Sequence, residues 1–518
     1  MARQSYVVLS PILVWNHHIR LLLVLILLDA FSERLAVAAS TTTNTLKFLP
    51  GFQGPLPFHL ETGYVGVGES KEAQVIYYFV KSERNPEKDP LLIWLTGGTG
   101  CSAWSGLVYE IGPLRYKVEE YNGMTPTLVL NDYSWTKISN IIFVDAPVGT
   151  GFSYSKNTSA YDQGDFQHVD HLFQFFKKWL INHPEFISNP LYIAGDSYSG
   201  IIVPMLAQQI SNGIKDGTIP PINLEGYILG NPVTYSSDNN YKVSYAHRTA
   251  LISDEQYQSL EKNCRGQYYG NIDPKNIKCL KVFHAYEKSI SGLSEGPILE
   301  SLCHNYNITL YFKVPFIHGL TIILEEGSAY YISDLSEEHA EESQYMITSE
   351  RRSLTQNSDD SDWLRPFGCS RIYDQLLSFF WANDPRVREA LHIPKGRVEQ
   401  WKRCNDNIQN KYKTEVLSTV EYHANLSAKG YRSLIYSGDH DMMVPYLGTQ
   451  AWIKSLNYTI VDDWRPWIVH DQVAGKFTRS YSNKMTFATI KGAGHTAPQY
   501  KPKECFAMFK RWIHYEPL

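Results

Sequence analysis

Residues 192–200 read YIAGDSYSG, an apolar run that stops at Gly195 and delivers Ser197 between Asp196 and Tyr198. A serine on the sharp turn between a buried strand and a helix projects its Oγ above the sheet as a nucleophile. The N–H of the next residue then points at the oxyanion that develops on an attacked carbonyl. The usual pattern for such a turn has a glycine two places before the serine and another two places after it. Gly195 fills the first place, and Ser199 followed by Gly200 keeps the second one small. A serine beside glycines is also an ordinary helix cap, so partners elsewhere in the chain decide the reading.

Those partners follow in order. Asp441 in YSGDHDMMVP and His495 in KGAGHTAP each stand just past an apolar run that reads as a strand. Nucleophile, acid and histidine in this chain order are the arrangement of an α/β-hydrolase, in which the acid and the histidine sit on loops after late strands. Asp439 competes for the acid role and reads as a turn residue. The early loop WLTGGTGC carries Gly97, Gly98 and Gly100, which can bring backbone close to a substrate. The N–H groups of Gly98 and Tyr198 are the candidate oxyanion donors. The chemistry implied is acyl transfer through a covalent acyl-serine, which requires no metal or organic cofactor.

The elements that must position these residues are legible. LLIWLTGG, NIIFVDAP, LYIAGDS, GYILGNP, SLIYSGDHD and MTFATIKGAGH are short continuous apolar runs ending in turn residues, the signature of strands buried on both faces. Helix-like stretches such as HVDHLFQFFKKWLINH and GIIVPMLAQQISNGI lie between them. Strand and helix alternate, so the fold class is α/β. The strand pattern lapses over residues 235–425, which read as a cap insertion containing a polar, charged linker near 337–363. The core then comprises residues 39–234 and 426–518.

The chain has 518 residues, 43% of them apolar, and a formal net charge of −5 without basic runs, which gives no reason to expect nucleic acid or an anionic membrane as partner. Basic residues to Arg20, the run LLLVLILL and the small residues of AVAAS have the order of a secretory signal peptide over residues 1–38. No later segment reaches transmembrane length, so no membrane association is expected after its removal. Seven cysteines without a CxxC pair suit disulfides in an oxidising compartment, and the odd count leaves at least one thiol free. Sequons at Asn157, Asn307, Asn425 and Asn457 fit a secretory route.

The stretches WLTGGTGC, DAPVGTGFSYS, GDSYSG, YSGDHDMMVP and GAGHTAP resemble the serine carboxypeptidase family from about Thr45 to the C-terminus. The resemblance implies an α/β-hydrolase fold with a helical cap, a triad of Ser197, Asp441 and His495, and a vacuolar or extracellular glycoprotein. It further implies disulfides Cys101–Cys404, Cys264–Cys279 and Cys303–Cys369 with Cys505 free, and a linker open to excision. In the family's peptidases a glutamate precedes the serine and, with an asparagine of the early glycine loop and a second glutamate, grips the substrate's terminal carboxylate. Here those places hold Asp196, Thr96 and Glu110, with Gly97 beside them. A shorter acid and a lost amide donor weaken that grip. GDSYSG, ETGYVGVGES and WLTGG look more like the plant acyltransferase branch, which moves an acyl group from a 1-O-acylglucose to an alcohol. The implied partners are therefore a glucose ester and a hydroxyl acceptor. A serine-type carboxypeptidase and an inactive secretory glycoprotein are the rivals.

Two places depart from the family pattern. Thr99 replaces a proline, and residues 304–336 are unusually apolar for a cap loop, reading either as an extra strand pair or as a translated intron.

Overall fold

The computed structural model describes residues 41–300 and 370–518, apart from residues 70, 120, 236–237 and 270–271, together with the backbone of three short strands between them. The strands in chain order are β1 (Thr41–Leu46), β2 (Leu60–Val67), β3 (Ala73–Val80), β4 (Leu91–Leu95), β5 (Leu114–Tyr116), β6 (Leu128–Leu130), β7 (Asn140–Val144), β8 (Tyr154–Ser155), β9 (Leu191–Asp196) and β10 (Leu224–Gly230). After them come β11 (Asn307–Ile308), β12 (Thr321–Glu325), β13 (Ser328–Ile332), β14 (Arg432–Gly438), β15 (Ile460–Val469), β16 (Gln472–Tyr481) and β17 (Met485–Ile490).

Twelve of these form one sheet in the order β1-β2-β3-β7-β4-β9-β10-β14-β17-β16-β15, with β8 paired to β3. From β7 to β17 every neighbouring pair is parallel, and both margins are antiparallel. The apolar runs are continuous because each strand feeds two layers. Leu91, Ile93 and Leu95 of β4 face one side, while Leu92 and Trp94 face the other. Helices Asp165–Asn182 and Ser199–Asp216 cover the first side with Phe175, Trp179, Ile202 and Leu206. Helix Pro502–Ile513 covers the second, where Phe509 stacks on Trp135 at 4.1 Å. This is the α/β-hydrolase architecture that the strand and helix pattern called for.

Within the span read as the cap, helices Tyr241–Arg248, Asp254–Cys264 and Ile277–Ile290 enclose a third cluster around Leu260, Tyr245 and Tyr286, joined to Met442 and Leu447 of the core. Cys264 and Cys279 are bonded across the second and third of these helices. Residues 370–428 instead return to the sheet. Helix Ser370–Asn383 buries Trp381 against Trp104 at 4.2 Å, and helix Val420–Ala428 lies along Ser199–Asp216. The strand pattern lapses there because these residues are helical, while their apolar faces still feed the main core. β11, β12 and β13 form an antiparallel three-stranded sheet inside residues 304–336. The signal segment 1–38, the linker 337–363 and the pair Cys303 and Cys369 lie outside the described residues.

Under the helix Asp165–Asn182, a buried hydrogen-bonded pair, Glu61 and His183, ties β2 to the chain beyond it. Glu61 Oε1 accepts hydrogen bonds from Tyr77 Oη at 2.6 Å and from His183 Nε2 at 2.9 Å. The other ring nitrogen of His183 faces Trp179 O at 2.9 Å. Burial works against the Glu61 carboxylate, but the hydrogen bonds and charge of His183, with Tyr77, outweigh it and hold the carboxyl below its ordinary range. A depressed carboxyl stabilises the fold above its unfolded value of about 4.3 and ceases to do so as pH falls through the folded value. We expect Glu61→Gln to cost about 3 kcal/mol at pH 6. Thermal unfolding of both proteins between pH 3 and 7 checks this, with the gap between them narrowing at the acid end.

Candidate active site

Ser197 follows the end of β9 with φ at +55°, a left-handed conformation that a non-glycine residue adopts only where its surroundings impose it. Its N–H donates to Gly230 O at 2.9 Å, and its carbonyl accepts from Val233 N at 3.0 Å, so the turn is pinned to the end of β10. The early glycine loop runs directly beside it. A Cβ on Gly97 would lie 2.5 Å from Ser197 Cβ and 3.0 Å from Tyr198 N, so only glycine fits. The exchange of the second motif glycine for Ser199 also has a local reason. Ser199 Oγ donates to Leu95 O at 2.9 Å, and the tightest contact falls one residue later, where a Cβ on Gly200 would meet Val233 O at 2.2 Å.

His495 brings the three distant segments together. Its Nε2 is 2.8 Å from Ser197 Oγ, and its Nδ1 is 2.8 Å from Asp441 Oδ2. Asp441 is fully buried and saturated with donors: Asn231 Nδ2 at 2.7 Å on Oδ2, Met443 N at 2.8 Å and Val444 N at 3.2 Å on Oδ1. With Nδ1–H donated to the carboxylate, Nε2 is the lone pair that faces the serine. Burial works against an imidazolium here, but Asp441, by charge and hydrogen bond, and Asp196, by charge, outweigh it and raise the His495 pKa. Asp439 is directed elsewhere, its Oδ1 accepting from Gly492 N at 2.7 Å in the turn after β17. Asn231, which orients the acid from the end of β10, escaped the sequence reading. Its only signal was the GNP that closes the strand run.

The glycine loop of Gly97, Gly98 and Gly100 is fastened from the far side. Cys101 and Cys404 are disulfide-bonded, Ser102 N donates to Arg403 O at 2.6 Å, and Asn405 N donates to Gly100 O at 2.9 Å. Buried Asp145 accepts from Ser102 Oγ at 2.8 Å, Ala103 N at 2.7 Å and Phe152 N at 3.0 Å, which braces the loop from β7. Tyr198, whose N–H neighbours the serine, is anchored by its own hydroxyl, which donates to Asp165 Oδ1 at 2.8 Å. Cys505 is a buried free thiol. Asn157, Asn425 and Asn457 are exposed, whereas the side chain of Asn307 lies outside the described residues.

Beside the serine the sequence-predicted pocket residues converge on a buried charge cluster. Asp196 Oδ1 accepts from Gly97 N at 3.0 Å. Glu110 is buried, and its Oε2, Thr96 Oγ1 and the Nε of a third residue, Arg403, have no hydrogen-bond partner among the described residues. Burial pushes the Glu110 carboxyl well up, and the like charge of Asp196 adds to it, against the pull of Arg403. Asp196 is raised by burial and held back by His495 and the Gly97 N–H. Burial, joined at Glu110 by the like charge of its neighbour, pushes both carboxyls upward, so the pair favours binding a proton. Arg403 was missed in the sequence. Its signal was position alone, one residue before the cysteine expected to tether Cys101.

The serine carboxypeptidase family profile matches residues 50–515. Serine carboxypeptidase-like 11 of Arabidopsis thaliana is 48% identical over 475 residues, 92% of this chain and 95% of its own length. Serine carboxypeptidase-like 19 of the same plant is 49% identical over 500 residues, 96% and 99% of the two chains. In architecture the chain is similar to a prohormone-processing carboxypeptidase from Saccharomyces cerevisiae, with a TM-score of 0.65 at 19% identity over 91% of this chain and 95% of that one. With a family match over residues 50–515 and relatives nearly half identical over most of their length, the chain belongs to the serine carboxypeptidase family.

Proposed function

We propose that the protein is a serine acyltransferase that moves an acyl group from a 1-O-acylglucose to a hydroxyl acceptor. Ser197 Oγ attacks the ester carbonyl while His495 Nε2 takes its proton, and Asp441 orients the ring and stabilises its cation. The oxyanion rests on the N–H groups of Gly98 and Tyr198, each such donor being worth about 3 kcal/mol. Glucose leaves with the proton from His495. The acceptor hydroxyl then gives its proton to the same nitrogen and attacks the acyl-serine, restoring the enzyme.

The observation that carries transferase over peptidase is the composition of the buried cluster. Thr96 replaces an amide donor, and Asp196 is a carbon shorter than the acid that would reach a peptide's terminal carboxylate, its Oδ1 already engaged by Gly97 N. A glucose ester presents neutral hydroxyls and needs no such grip. Arg403 favours the second reading, a carboxypeptidase, because a guanidinium whose buried Nε has no hydrogen-bond partner among the described residues also suits a carboxylate. Two disulfides, exposed sequons and the signal-like segment at residues 1–38 support a secretory route ending in the vacuole or outside the cell.

Purified protein given 1-O-acylglucoses with mixed alcohols, beside blocked dipeptides, is expected to yield new esters and free glucose with little release of C-terminal amino acids. Rapid amino-acid release without transfer overturns the assignment. Ser197→Ala is expected to lose at least about a thousandfold in turnover and all fluorophosphonate labelling. The double substitution Thr96→Asn with Asp196→Glu should raise peptide cleavage by about tenfold and weaken transfer, read as kcat/KM for each substrate.

A further inference from the structure

Four hydrogen bonds join the loops of the acid and the histidine to one short segment of the cap. Glu295 O accepts from Met442 N at 2.8 Å and Met443 N at 3.0 Å, Gly296 O accepts from His495 N at 2.9 Å, and Ile298 N donates to His440 O at 3.1 Å. Gly494 is shaped by the contact, since a Cβ there would meet Gly296 O at 2.6 Å. The segment is in turn fastened to helix Tyr241–Arg248, because Glu295 Oε2 accepts from Lys242 Nζ at 2.6 Å. Lys242 is buried for a lysine, its side chain 9% exposed, with Nζ 5.2 Å from the centre of the Tyr269 ring. A lysine this buried is rare unless paired, and its partner here lies on the segment that holds the loops of Asp441 and His495.

Resting on the reading of Ser197 as nucleophile, we propose that Lys242 is a positioning residue for the base: held by Glu295 on this strap, it sets the charge environment in which the His495 imidazole exchanges protons with Ser197. The groups that act on His495 are Asp441 from the loop after β14, Asp196 from the end of β9, and Lys242 from the cap helix. The two acids favour the imidazolium and Lys242 opposes it. The strap thus sets a cap-borne cation against two core acids and keeps the base neutral, hence active, to lower pH than the acids alone allow.

The test uses the rate at which a fluorophosphonate labels Ser197 across pH, a readout independent of whether the substrate is an ester or a peptide. Labelling needs neutral His495, so its acid limb follows that ring. Lys242→Met is expected to move the limb up by about half a pH unit, slowing labelling about threefold below it. Glu295→Gln keeps the hydrogen bond but removes the counter-charge of Lys242, and is expected to move the limb down. Opposite shifts, with thermal unfolding showing both variants folded, support the proposal. A merely structural role would lower both rates at every pH, and an unmoved limb, or shifts of the same sign, overturns the proposal. Absence of labelling in the unmodified protein brings down the nucleophile reading instead, and this proposal with it.

Discussion

The imidazole of His495 is the joint on which the site depends, because its two nitrogens bind side chains 298 and 54 positions away in sequence. Hydrogen bonds of 2.8 Å tolerate little error in three loops that share no local sequence. The sheet removes most of that error. β9, β10, β14 and β17 are neighbours, so the turns after them emerge at one edge within reach of one another. What the sheet leaves free is taken up by backbone contacts: Ser197 to Gly230 and Val233, and His440 to Ala493. The strained φ of Ser197 is sustained by this packing.

That dependence explains what could be read in the sequence. Buried parallel strands show as uninterrupted apolar runs, and a residue in a tight turn after such a run is marked by its glycines. Ser197, Asp441 and His495 were visible for this reason, and so was the α/β alternation. Asn231 and Arg403 carry no comparable mark. Each acts through a side chain whose neighbour is far away in the chain, 210 residues for Asn231 and Asp441, and nothing in the local sequence announces such a pair. The helices of residues 370–428 were hidden differently. Their apolar faces belong to the core of the sheet, while their lack of strand character placed them with the cap.

The buried acids show a limit of another kind. The family resemblance places the carboxyls of Asp196 and Glu110 near the serine; only their shared burial says that both are pushed toward their protonated forms. Acids so raised, beside the Arg403 guanidinium, favour a pocket of small net charge. On the proposed reading such a pocket takes a neutral, hydroxyl-rich donor at modest desolvation cost, whereas a free terminal carboxylate must find its compensation in Arg403. On that reading the preference for an ester over a peptide follows the protonation of a pair, which residue identity does not specify by itself.

The cap bears on the same electrostatics from the opposite side. It encloses its own cluster of apolar and aromatic side chains and is cross-linked internally by Cys264 and Cys279, yet its contact with the loops of the acid and the base runs through backbone groups of Glu295, Gly296 and Ile298. Backbone groups hold position whatever their side chains become, so the loops of Asp441 and His495 can stay in register while the side chains around them change. Side-chain identity enters at Lys242 and Glu295, the charged pair on this strap. Geometry is therefore carried by main-chain contacts and charge by a separate ion pair, a division that lets one triad keep its shape while the pH range of its base is set from the cap.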